Sequence, residues 1–419
     1  MIDEPAVDDR PPGGNRAVYL HIGTLKTGTS FIQSVLLRNV DRLHHDGILY
    51  PIDQTRWALQ VRAVRDVLDR KGQTPVRGDW DRLVAQITEW PGRASVVSME
   101  FLSLATTAQV ETIVGSLQAV DVHVVLTLRD LARVLPSAWQ SMIKQGRPWS
   151  FEEFVAGVTA DDPRSNEPGQ RFWLHHDAVT IAERWLAAVG PERLHVVTVP
   201  PSSRPPSLLW QRFCEVLALD GDAYDITQDQ KSNFSLSYSD TELLRQVNVE
   251  LATMPKRDHK RWATRFLANR VLRAASSEDI ADDRPEVDDA TRDWAVRRSE
   301  LLIEALRALD LHVVGDLEEL LPQPPSSDRA TAGPKFVYPD RAAYVLASMI
   351  RKLVEIESDR SARSTGQVAT APLRRRNRPG GTRRAGGGAS DDHDDDEDDF
   401  YDQEAIDEDR PRRPGERSR

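Results

Sequence analysis

Four short runs of aliphatic and β-branched residues, at 17–22, 94–98, 122–128 and 194–199, punctuate the first half of the chain. Each is apolar along nearly its whole length rather than at alternate positions, so a strand built from it needs cover on both faces. Segments with a helical period lie between them. Phe31, Ile32, Val35 and Leu36 share one side after the first run, Trp80, Leu83, Val84 and Ile87 precede the second, and 178–189 precedes the fourth. Buried strands alternating with amphipathic helices predict an α/β fold, a three-layer parallel sheet with helices on both faces. Ligands of such sheets gather at the carboxyl ends of strands. The residues that end the first three runs, Gly23, Met99-Glu100 and Arg129-Asp130, are therefore where chemistry is expected.

Composition divides the chain. Residues 1–16 read as a flexible polar leader, 17–321 as the α/β domain, and 322–357 as a Pro/Ser-rich linker followed by an amphipathic helix from about Arg341, with Asp340 as its N-cap. Within the domain, Ser207 is expected to cap a helix carrying Leu209, Phe213 and Leu217, and long helices are expected over about 239–275 and 288–309. From 358 to 419, Arg374-Arg375-Arg376, a Gly-rich stretch and the acidic run 391–399 are too polar to bury a core and are expected to be a disordered charged tail. No run reaches the roughly 18 apolar residues of a membrane helix. The acidic start lacks the regions of a secretory signal, which together with the single cysteine, Cys214, points to a cytoplasmic protein. A net charge of −11 argues against a nonspecific nucleic-acid coat, so an anionic ligand needs a local site.

The segment Gly23-Thr24-Leu25-Lys26-Thr27-Gly28-Thr29-Ser30 supplies one. Its glycines permit a tight turn that aims backbone N–H groups at an anion, and Lys26, Thr27, Thr29 and Ser30 add a charge and hydroxyls. It is P-loop-like but departs from the ATPase pattern, since Thr29 follows Gly28 where the lysine would stand. The run from His21 to Gln33 resembles the phosphosulfate-binding loop of the PAPS-dependent sulfotransferases. Leu128 to Ser137 resembles that family's site for the 3′-phosphate, an arginine (Arg129) at a strand end and a serine (Ser137) on the next helix. Lys231-Ser232-Asn233 is similar, more loosely, to its later nucleotide-contacting segment.

The resemblance spans roughly 17–310. It implies transfer of the sulfuryl group of PAPS to a hydroxyl or amine of a small-molecule or carbohydrate acceptor, without a metal. Lys26 would stabilise the leaving phosphate, and Gly23, Lys26, Thr27, Gly28, Thr29, Ser30, Arg129, Ser137 and Asn233 would hold the cofactor. The family uses glutamate or histidine as base, and Glu100, which ends the second run, is the first candidate, with His176 and His21 behind it. Competing roles are a structural ion pair of Arg129 with Asp130 or another acid, a simple helix-surface position for Ser137, a solvated or helix-starting charge for Glu100, and plain packing for His21. His175-His176-Asp177 is too compact to converge on a metal. A P-loop kinase and a non-catalytic interaction protein on the same fold are the alternative functions.

Overall fold

The computed structural model describes residues 16–52, 58–69, 77–227, 236–272 and 286–324, with Val345, Leu346, Met349, Arg351 and Leu353 as helical positions beyond them. Asp340, Asn233 with its neighbours Lys231 and Ser232, the leader 1–15 and the tail 358–419 lie outside the described residues.

Six strands form one sheet: β1 (Ala17–Gly23), β2 (Ile48–Leu49), β3 (Ala94–Ser98), β4 (Asp121–Leu128), β5 (Leu194–Thr198) and β6 (His312–Val314). Their order is β2-β3-β1-β4-β5-β6, and every pairing is parallel. The four apolar runs are thus the four inner strands. The two edge strands, of two and three residues, carry too little pattern to be seen in sequence.

Alternate residues of the inner strands feed opposite layers, as the two-residue period requires. Val96, Val125 and Val197 pack with Phe31, Ile32 and Val35 of the helix Thr29–Arg38 and with Leu209, Trp210 and Phe213 of the helix Ser207–Val216. Leu20, Val97, Val124 and Val196 pack instead with Leu83, Ile113, Trp185 and Ile303, from four helices on the other face. A third cluster sits off the sheet. There Trp139, Phe154, Phe172 and Leu244 join helices that follow β4, and Val345 packs into the same cluster.

Two expectations need correction. Ser207 is the first helical residue, with Pro206 at the cap position and no side-chain cap, because Pro is pre-set for a helix entrance. The expected helix 239–275 is broken: Tyr238–Glu250 ends, Pro255 intervenes, and winding resumes at Lys256. A proline denies the i−4 hydrogen bond, so it starts a helix more readily than it continues one. Among the described residues no helix is long and apolar enough to cross a membrane.

Candidate functional site

The glycine loop leaves β1 at the centre of the sheet, between β3 and β4. Three of its residues have left-handed backbones: Gly23 (φ 81°), Lys26 (φ 64°) and Gly28 (φ 88°). Left-handed residues can turn backbone N–H groups towards an anion, as in a nest; the Thr24 N–H is not one of these, since it donates to the Thr127 carbonyl at 2.8 Å. At Gly23 space is also limiting, since a Cβ there would lie 2.8 Å from Glu100 Cβ and 3.3 Å from its Cα; at Gly28 the near atom, Leu209 Cδ2 at 2.5 Å, ends a side chain that can shift, so the left-handed backbone is what favours glycine. The helix Thr29–Arg38 that follows has neither a side-chain cap nor an acidic residue in its first turn. Its positive end therefore faces the loop. Thr29 Oγ1 is buried without a hydrogen-bond partner among the described residues, whereas Ser30 is exposed. A buried, unsatisfied hydroxyl beside a nest fits an anionic group of the kind a nucleotide carries.

Beneath the loop runs a polar layer that the sequence does not announce. His21 Nδ1 and Ser98 Oγ are 2.8 Å apart, and His21 Nε2 lies 3.1 Å from Thr127 Oγ1. Thr127 Oγ1 in turn is 2.7 Å from Thr27 Oγ1, which donates to the Thr24 carbonyl at 2.5 Å. The chain thus links β3, β1, β4 and the loop. Burial holds the His21 imidazole down to about 3, so it is neutral and both ring nitrogens are spoken for. His21 is a packed residue, as expected, and its packing fixes Thr27. The unfolded imidazole binds its proton near pH 6.5 and the folded one does not until about pH 3. Stability therefore falls as pH drops through that window, by at most about 1.4 kcal/mol per pH unit for one group. The urea midpoint of His21→Gln should fall less steeply than wild type between pH 6.5 and 4; parallel slopes would show that His21 is already charged when folded.

Glu100 is the first residue of a short 3₁₀ turn, Glu100–Leu104, directly after β3. It is not a solvated charge: the residue is 8% exposed. Burial raises its carboxyl above the usual range, opposed by a backbone hydrogen bond, the Lys26 charge and the Gln33 amide. Gln33 Nε2 donates to Glu100 Oε2 at 3.3 Å and to the Ser98 carbonyl at 2.9 Å. Gln60 accepts from Ser98 N at 2.9 Å, holding the end of β3 from the other side. The Lys26 charge also reaches His176, the last residue of the helix Glu167–His176. His176 is buried against Phe172, 4.5 Å between ring centroids, and its protonation is opposed by burial, then by His175 and Lys26. Lys26 thus acts electrostatically on both remaining candidate bases.

Arg129 follows β4, half-buried, and its Nη1 donates to the Lys26 carbonyl at 3.3 Å. Its expected rival partner is engaged elsewhere. Asp130 caps the helix Leu131–Lys144 through Arg133 N at 3.0 Å and pairs with the Arg133 guanidinium. Arg133 also donates to the Pro200 and Val199 carbonyls at 3.0 and 3.3 Å, tying β4 to β5. Ser137 lies two turns along that helix, half-buried, with its hydroxyl donating to the Arg133 carbonyl at 3.2 Å. Gln33, Gln60 and Thr127 are the residues that sequence reasoning missed. The available signal was a polar residue inside an otherwise apolar helix stripe or strand.

Among the described residues no group of His, Cys, Asp and Glu is arranged to hold a metal ion. No protein-family model matches the chain, and no curated protein matches it in sequence. A crystal structure of a sulfotransferase from Alicyclobacillus acidocaldarius superposes with a TM-score of 0.35 at 16% identity, covering 57% of this chain and 95% of that one.

Proposed function

We propose that the chain is a PAPS-dependent sulfotransferase acting on a hydroxyl or amine of a small-molecule or carbohydrate acceptor. One observation carries the reading: the nest around Lys26, the Arg129 guanidinium and the buried Glu100 carboxyl meet at the ends of β1, β4 and β3. PAPS would supply an activated sulfuryl group and a phosphate that leaves with added negative charge. Gly23, Thr27, Gly28, Thr29 and Ser30 would hold its 5′ end, with the Lys26 ammonium meeting the charge that develops on leaving. Arg129, with Ser137, would hold the 3′-phosphate, for which a planar guanidinium is well shaped. Asn233 is proposed as a further nucleotide contact on sequence grounds alone. Glu100 would take the acceptor's proton; a carboxylate pushed up by burial is a stronger base than a solvated one. The residues below the site do not touch the reactants: His21, Thr127 and Gln33 fix where Thr27 and Glu100 stand.

The test separates a 3′-phosphate role from the bracing role that the Arg129 to Lys26 bond also provides. Arg129→Ala should lose roughly 10- to 150-fold in affinity for 3′,5′-phosphoadenosine (PAP), the worth of a hydrogen bond to a charged group. Ser137→Ala should lose less. Both should bind adenosine 5′-phosphate nearly as wild type does. An equal loss for both nucleotides would mean that Arg129 only braces the loop.

A further inference from the structure

The far end of the helix that carries Ser137 opens onto a cavity of about 280 Å³. It is built where that helix stops. The Ile143 and Arg147 carbonyls accept from Asn248 Nδ2 at 2.8 and 3.1 Å, and the Lys144 carbonyl accepts from Thr264 Oγ1 at 2.8 Å. The chain reverses at Gly146, φ 88°, where a Cβ would stand 2.7 Å from the His259 ring. Three carbonyls at this helix end are thus hydrogen-bonded. Arg147, Lys256, His259 and Lys260 line the cavity, and no Asp or Glu does. Arg147 does pair with Glu167 at 3.1 Å, but Arg171 shares that carboxylate at 2.8 Å, so two guanidinium groups meet one carboxylate there. In a chain of net charge −11 this concentration is not a by-product of a basic composition. Part of the remaining wall is apolar, from Pro148, Leu251 and Met254.

We infer that this cavity is a second anion site, separate from the glycine loop, for a small organic phosphate or sulfate ester. The cations bind the tetrahedral group, and the apolar wall takes the carbon body. A volume just below the usual range for small-molecule pockets, about 300–1,000 Å³, suits a compact ester rather than a nucleotide. The inference does not depend on the sulfotransferase reading.

The test uses the full chain with Lys26→Ala and Arg129→Ala already in place, which strips the glycine-loop site of its two side-chain cations, and the substitutions below assign any remaining event to the cavity. Calorimetric titration of this protein with phenyl phosphate should show one saturable event, and phenyl sulfate should compete for it. Inorganic phosphate should bind more weakly, lacking the carbon body. Adding Lys256→Gln and Lys260→Gln together should weaken phenyl phosphate at least about 10-fold, the lower end for lost charge-assisted hydrogen bonds. Lys256→Gln alone, at an exposed side chain, should weaken it by less without touching the fold. Absence of a saturable event, or one that neither substitution weakens, would overturn the site. Equal affinity for phenyl phosphate and inorganic phosphate would overturn the ester assignment.

Discussion

Glu100→Gln should lower turnover about 10²–10⁴-fold, the usual contribution of a general base, while PAP affinity stays at its wild-type value. The same substitution should leave the protein at least as stable at neutral pH. Burial holds the folded Glu100 carboxyl above its unfolded value, so whatever stability its titration contributes is present at low pH and lost as pH rises through the folded value. Once ionised, the group is a buried charge that costs folding energy, and an amide in its place can still accept from Gln33. Loss of activity with retained or raised stability is the signature of a group kept for chemistry. The pH profile adds a second check: kcat/KM of the wild type should rise through an ionisation above the ordinary carboxylate value of about 4.3. Glu100→Gln should lack that limb. Unchanged turnover would transfer the role to His176, the other buried group within the field of Lys26.

Lys26→Ala should lower turnover by at least about 100-fold, as expected when a preorganised charge is removed from a transition state. Backbone strain does not confuse the result, because Lys and Ala carry the same Cβ into the left-handed conformation at φ 64°. Lys26→Gly separates the two effects more sharply. Relief of the left-handed penalty, roughly 1 kcal/mol, should offset lost contacts and keep the melting temperature near wild type, while activity falls as in the alanine variant. Lys26 also lowers the Glu100 carboxyl, so any residual activity of Lys26→Ala should have its acidic limb displaced to higher pH. A variant with wild-type turnover would remove Lys26 from the chemistry.

The parts of this arrangement that follow from local chemistry were legible in the sequence. Continuous apolar runs name the inner strands, because a strand covered on both faces has no polar positions to spare. The Gly23 to Ser30 loop is equally local, since glycines, a lysine and hydroxyls within one turn leave few other uses. The polar layer below it was not legible. His21 meets Ser98 and Thr127 across separations of 77 and 106 residues, and nothing in any one strand specifies which polar residues will line up. Register decides that: His21 pairs with Ser98 across β1 and β3. The partner of Asp130 shows a related point. Adjacent residues on a chain entering a helix point apart, while residues three apart share a face, so Asp130 meets Arg133 rather than Arg129. Pro255 marks the interruption of the helix after Tyr238–Glu250, and it outweighs the apolar period on which the expected helix over 239–275 rests.

Calorimetric titration of the purified chain with PAP, with ATP, and with ATP plus magnesium tests the central claim most directly. The nest, Arg129 and Glu100 at one sheet end predict saturable PAP binding that needs no divalent ion. They also predict weaker ATP binding that magnesium does not rescue, because ATP lacks the 3′-phosphate assigned to Arg129 and Ser137. Magnesium-dependent ATP binding with no response to PAP would contradict the account in favour of a phosphoryl-transferring enzyme. Binding of neither would contradict it in favour of a fold that has kept the loop and lost the ligand.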